Sequence, residues 1–154
     1  MQRVLIVGPG GAGKTVLAER LSERTGIPVV HLDPIFYREG WRPRPRPEAV
    51  AALERALAGE QWIADGNFLD AGDSRFERAD TVIFLDLPRW LCVARILWRR
   101  VRDRGKSRPD LPAPEGFDWG FVKWSWRYPH ALHLPNIVRL RSRREVAEMI
   151  RRSG

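Results

Sequence analysis

The chain has 154 residues, 44% of them hydrophobic, enough for one core and too few for two independent ones, so a single domain over 1–154 is expected. No run approaches the roughly 18 uninterrupted apolar residues of a membrane span, and an apolar strand begins so close to Met1 that a signal peptide has no room. The formal charge of +8 admits a nucleic-acid partner, yet all but Lys14, Lys106 and Lys123 of the 27 basic residues are arginine, whose fork grips small phosphorylated ligands equally well. The lone Cys92 can close no internal disulfide, and no Cys/His spacing indicates zinc. A soluble, unprocessed, cytoplasmic protein is the expectation.

Gln2 to Val7 carries VLIV ahead of a glycine cluster, the pattern of a short buried strand ending in a loop. The loop itself, Gly8-Pro9-Gly10-Gly11-Ala12-Gly13-Lys14-Thr15, matches G-x-x-x-x-G-K-[ST] in full. Glycines let such a loop turn tightly and approach an anion, so that backbone N–H groups at Gly8, Gly10, Gly11, Ala12 and Gly13 cradle phosphates. Lys14 is expected to reach the β- and γ-phosphates and the Thr15 hydroxyl to sit on magnesium, which makes ATP with magnesium the expected ligand. From Lys14 to Arg24 the residues Val16, Leu17, Ala18 and Leu21 fall at helical spacing, and Gly26 stands where a C-terminal cap belongs. The motif therefore lies between a strand and a helix, the context in which it binds nucleotide.

Pro28 to Leu32 reads as a second strand that ends at Asp33. Glu39 to Pro47 interleaves arginine with proline and is expected to be an extended, exposed flap or connector. Pro47 suits the first turn of a helix that continues to Gly59. Trp62 to Ala64 makes a third strand, running into Asp65-Gly66-Asn67, and Thr81 to Leu85 a fourth, ending at Asp86. From Pro88 to Arg104 the pattern is helical, with Leu91, Ala94, Leu97, Trp98 and Val101 expected on an apolar face and Arg95, Arg99 and Arg102 on a basic one. Gly105 to Gly116 has no periodicity and reads as a mobile excursion; Phe117 to Tyr128 is aromatic-rich and helical, its aromatic residues expected mainly in the core. Ile137 to Leu140 forms a fifth strand, and Ser142 with Glu145 has the spacing of a capping box for the last helix. Strands alternating with helices imply crossover connections and a parallel sheet covered on both faces, an α/β fold.

Asp33, Asp65 and Asp86 all fall at strand ends, which in a parallel sheet gather around the phosphate loop. One of them should serve magnesium opposite the threonine; Asp65 and Asp86 both suit. Asp33 is a candidate to orient an acceptor and take its proton. Arg99 is the first choice among the helical arginines to neutralise charge that develops during phosphoryl transfer. His31, His130 and His133 have no spacing that points to a metal or a catalytic triad.

The chain resembles the adenylate-kinase-like P-loop kinases, and more closely the small bacterial DNA topology modulation proteins. The resemblance rests on GPGGAGKT, HLD at Asp33, WIADGN at Asp65, FLDLP at Asp86, the arginine helix followed by RGKSRPD, and FDWGFVKWSWRYP, which together span nearly the whole chain. It implies a P-loop three-layer fold with a five-stranded parallel sheet of order 2-3-1-4-5, an acceptor-side segment at about 34–58 and a short lid at about 104–118. By the same likeness Asp65 rather than Asp86 helps hold magnesium, Arg95 lies against adenine, Arg99 lies against the phosphates, and Arg141 to Arg143 border the adenine. Unlike adenylate kinases, the chain follows Asp65-Gly66 with Asn67-Phe68-Leu69, and the next arginine is Arg75. That departure argues against AMP as acceptor, with Arg38, Arg42, Arg44 and Arg46 able to supply a substitute clamp.

Two functions remain open on the sequence. One is a kinase acting on a nucleoside, nucleotide or small metabolite; for a hydroxyl acceptor Asp33 is the base, for a phosphate acceptor the arginine-proline segment is needed. The other is a nucleotide-dependent regulator that binds DNA through its arginines, for which charge alone supports only salt-sensitive, nonspecific binding. Monomer and homodimer are both compatible with the sequence.

Overall fold

The computed structural model describes residues 1–68, 74–102, 118–129 and 136–153. Its elements in chain order are β1 (Arg3–Val7), α1 (Lys14–Thr25), β2 (Val29–His31), α2 (Asp33–Phe36), β3 (Tyr37–Arg38), β4 (Arg42–Pro43), α3 (Arg46–Ala56), β5 (Trp62–Asp65), α4 (Arg75–Arg78), β6 (Thr81–Leu85), α5 (Arg89–Arg102), α6 (Trp119–Trp126), β7 (Ile137–Leu140) and α7 (Arg143–Arg152). Five strands form one sheet of order β2-β5-β1-β6-β7, and every neighbouring pair in it is parallel. Taken alone in chain order, these five strands run 2-3-1-4-5, as expected.

The sheet is sandwiched because its central strands are apolar on both faces. In β1 the side chains alternate: Val4 and Ile6 join Leu17, Leu21 and Cys92 on one side, with Val146, Met149 and Ile150 of α7 packed against them. Leu5 and Val7 join Leu53, Leu57, Trp62, Phe84 and Tyr128 on the other. Parallel strands also align their carboxyl ends, so the glycine loop after β1 emerges beside the ends of β5 and β6. The last helix begins as its sequence requires. Ser142 accepts from the Glu145 amide at 3.2 Å, and Glu145 returns to the Arg141 amide at 2.8 Å.

Four local readings change. The second strand stops at His31, and Asp33 opens the short helix α2 instead of ending a strand. The arginine-proline stretch is not simply extended: Tyr37–Arg38 and Arg42–Pro43 pair antiparallel around a tight Glu39–Trp41 turn, with Gly40 at φ 75°. A short helix over Arg75–Arg78 was missed because one turn is too brief to show a period. On α5 the predicted apolar face is the exposed one: Leu97, Trp98 and Val101 are 38%, 65% and 74% exposed, whereas Cys92 and Ile96 are buried and Arg95 and Arg99 half-buried. The inward face of this helix meets the hydrophobic layer through Cys92 and the phosphate loop through Arg95, so Arg95 points in, whereas Arg102 at the helix end is exposed. The expected lid lies outside the described residues apart from Asp118, as do His130 and His133. Among the described residues no helix is long and apolar enough to cross a membrane.

Candidate active site

The loop between β1 and α1 needs its glycines for two distinct reasons. Gly8, Gly11 and Gly13 adopt φ of 151°, 74° and 96°, backbone conformations that side chains disfavour. Close packing supplies the second reason: a Cβ on Gly11 would stand 2.2 Å from the Cys92 carbonyl oxygen, and one on Gly10 would stand 2.5 Å from Phe121 Cζ. The loop is thus wedged between α5 and α6, its carbonyls held from outside. Arg95 Nη1 donates to Gly11 O and Ala12 O, both at 3.3 Å, and Ser125 Oγ donates to Gly10 O at 3.0 Å. Those contacts leave the amide side of the loop to face an anion.

Lys14 Nζ folds back to donate to Gly8 O at 3.0 Å and Pro9 O at 3.1 Å. Burial pushes its ammonium below the usual lysine range, Asp65 and then Asp33 pull it back up, and Arg99 pushes it down. One lysine therefore senses the charges of three residues selected from distant parts of the sequence. Asp65 ends β5 and is only 6% exposed. The strand register sets His31 beside it, and His31 Nδ1 lies 3.3 Å from Asp65 Oδ2. Asp33, in the first turn of α2, also raises the Tyr37 phenol, behind burial as the larger cause.

Asp86, the third strand-end carboxylate, is engaged elsewhere. Arg139 holds it with Nε at 2.9 Å and Nη2 at 2.6 Å, and Arg141 Nε stands 4.0 Å away. This fork joins β6 to β7 and distinguishes Asp86 from Asp65, whose carboxylate meets His31 instead. Arg95 is held low by desolvation and by the nearby positive charge of Arg143, which brings together the two sides expected to border adenine.

Four residues of this site escaped the sequence reading. Asn67 Oδ1 accepts from the Gly8 amide at 3.1 Å and from Tyr128 Oη at 2.8 Å, tying β5, the phosphate loop and the end of α6 into one knot. Ser125 and Phe121 hold Gly10 from the same helix. A single serine, 1% exposed among tryptophans, was the available signal. Trp119, Trp124 and Trp126 are exposed, so the expected aromatic core reduces mainly to Tyr128 with Phe121 on the loop.

The residues fit a nucleotide with magnesium. The glycine cradle and the retracted lysine suit polyphosphate. Thr15 and Asp65 offer hard oxygen donors, and magnesium needs only one or two from protein when phosphates and water complete its octahedron.

A parallel sheet that leads through such a loop into a helix, with a lysine and a buried aspartate at its head, defines a P-loop nucleotide-binding protein. The Isopentenyl transferase family model matches residues 1–78. A shikimate kinase of Xanthomonas campestris pv. campestris is 30% identical over 127 residues, covering 73% of this chain and 67% of that protein. A tRNA dimethylallyltransferase of Jannaschia sp. is 37% identical over 75 residues, covering 40% of this chain and only 26% of the relative. Among solved structures, a gluconokinase from Sinorhizobium meliloti shares the fold with a TM-score of 0.64 at 17% identity, over 99% of this chain and 89% of that one. The chain belongs to the P-loop kinase-like family.

Proposed function

We propose that the protein is an ATP- and magnesium-dependent phosphotransferase that moves the γ-phosphoryl group to a small acceptor in the cytoplasm. The observation that carries this reading is the glycine loop with its carbonyls held from outside, Lys14 retracted onto Gly8 and Pro9 at its head, and the buried Asp65 ending the adjoining strand. In this reading the loop amides from Gly8 to Gly13 bind the phosphates. Lys14 leaves the carbonyls of Gly8 and Pro9 to follow the β- and γ-phosphates, an exchange that trades neutral acceptors for a charged one. Thr15 and Asp65 hold magnesium, which when bound neutralises phosphate charge. His31 keeps the Asp65 carboxylate oriented. Arg99 meets charge developing on the transferring group, while Arg95, Arg141 and Arg143 border the adenine. Asp33 orients the acceptor and takes its proton.

The shikimate kinase likeness supports phosphoryl transfer, because it runs over 127 residues whereas the isopentenyl transferase match stops at residue 78. A nucleotide-dependent DNA-binding regulator of the topology modulation type rests on the +8 charge. It gains little from α5, where Arg95 is spent on the phosphate loop. The test is ADP release by purified protein with ATP and magnesium, alone and with DNA. Lys14→Ala should abolish release with the circular dichroism spectrum unchanged; unaltered release would remove the mechanism, and a DNA mobility shift at near-physiological salt without turnover would favour the regulator.

A further inference from the structure

Building on the phosphotransferase reading, we propose that the acceptor is an uncharged alcohol carrying a planar ring. It lies on an aromatic face made by Tyr37, Trp41 and Phe68, with its hydroxyl beside Asp33. The segment after β2 brings these groups together. Asp33 opens α2 directly after β2, and Tyr37 caps the other end of the same short helix, where the Asp33 charge helps raise its phenol. Tyr37 in turn contacts Phe68 at 5.9 Å and Trp41 at 5.5 Å between ring centroids, and Phe68 is stacked on Phe36 at 3.9 Å and 8°. The candidate base thus stands at one end of a single-turn helix and a patch of rings gathers at the other.

Two of those rings are held against their backbone preference. Trp41 has φ 59° and Phe68 φ 50°, the left-handed region that bulky residues rarely occupy. Strain of this kind concentrates where a side chain must stand in one place. Trp41 owes its conformation to the turn between β3 and β4, and Phe68 to the exit from β5 beyond Asp65 and Asn67. Both turns direct an aromatic ring toward Tyr37.

The arginines that a phosphate-bearing acceptor would require are committed to the segment itself. Arg38 pairs with Glu48 at 2.6 Å, Arg42 Nε donates to Glu39 O at 3.3 Å, and Arg44 Nε donates to Ile35 O at 2.8 Å. Arg75 is 1% exposed and donates to Phe68 O, bracing that residue from behind. Arg46 opens α3 on the exposed surface. A second phosphate or a carboxylate is normally held by forks that converge on it, whereas Arg38, Arg42 and Arg44 each spend a donor on Glu48, Glu39 or Ile35 close by in the chain. Stacking asks for no charge on the ligand and suits a planar ring.

In the transfer, the acceptor oxygen bonds to the γ-phosphorus as the bond from that phosphorus to the bridging oxygen breaks. ADP leaves with the electron pair, and the hydroxyl proton passes to the Asp33 carboxylate. Each of these atoms comes from ATP, the alcohol or the protein.

The experiment is ADP release by the full chain with ATP and magnesium over three acceptor sets: nucleosides with hydroxymethyl-pyridines, the matching monophosphates, and ring-free polyols with sugar acids. A member of the first set should raise release many-fold over the water background. Preference for a monophosphate or a ring-free acceptor overturns this inference while leaving the phosphotransferase reading in place. Stimulation by no ring alcohol overturns it as well, and Lys14→Ala then tells whether the phosphotransferase reading falls with it. With the ring acceptor, Trp41→Leu should raise the acceptor KM about tenfold, the loss of one stacked ring, with the KM for ATP and the melting temperature unchanged. An unchanged acceptor KM overturns the aromatic face.

Discussion

Gly11 and Asp33 show two kinds of constraint on single residues. At Gly11 the constraint is steric, from a positive φ and from the Cys92 carbonyl 2.2 Å from any added Cβ. Gly11→Ala should therefore cost stability by about 2 kcal/mol or more, because the left-handed backbone alone costs an L-residue roughly 1–2 kcal/mol; a urea melt measures it, together with loss of ATP binding. At Asp33 the constraint is chemical. Under the phosphotransferase reading Asp33→Asn keeps size and removes the proposed base, so kcat should fall about 100-fold or more while ATP affinity stays within a few-fold. Equal losses in single-turnover rate and nucleotide titration would make Asp33 a metal ligand instead. Asp65→Asn should do the reverse and raise the magnesium concentration needed for half-maximal turnover, with little change in ATP binding measured without metal.

Among the elements, α6 behaves as a brace for the phosphate loop more than as a slab of core. Its Ser125 and Phe121 fix Gly10, and Tyr128 just after it reaches Gly8 through Asn67. Tyr128→Phe keeps the ring in the core and deletes only the donor to Asn67. It should lower stability by about 1 kcal/mol in a urea melt and reduce kcat/KM for ATP several-fold, because Asn67 loses one of two anchors. An unchanged kcat/KM would make the knot purely structural. The same element explains a gap in the sequence reading. Aromatic residues at helical spacing say that a helix buries something, and only the packed structure shows that the buried surface is a glycine loop 115 residues earlier in the chain. Likewise α5 carries residues able to form either face, and Arg95 turned inward because the neighbouring layer is a phosphate loop lined with carbonyls.

Over the whole molecule, the two clusters on either side of the sheet hold two buried groups that must stay neutral. Burial pushes the Cys92 thiol above its ordinary 9.0, and pushes the Tyr128 phenol up as well. A group whose folded value is raised binds its proton more tightly in the native state than in the unfolded one, so its contribution is complete below the unfolded value and is lost as pH rises through the folded one. Stability should accordingly fall above about pH 9, where unfolded cysteine begins to ionise, and Cys92→Ala should flatten the lower part of that fall. Denaturant melts from pH 7 to pH 11 on both proteins check the sign; a parallel decline in both would assign the effect to other groups.

The phosphate loop, the five sheet strands and the capping box were legible in the chain because each is local: a run of apolar residues, a glycine spacing, a serine three residues before a glutamate. Asn67, Ser125 and Tyr128 were not, since their roles arise from hydrogen bonds between segments 59 to 115 residues apart. The Asp86 pairing with Arg139 belongs to the same group, being created when β6 and β7 align. By itself, then, the sequence determined that this is a parallel α/β protein with a phosphate loop, because periodicity and turn chemistry act over a few residues. Only the tertiary structure decided which face of α5 looks inward, which aspartate is already taken by an arginine, and which rings gather beside Asp33, because burial and pairing depend on neighbours that the chain order does not reveal.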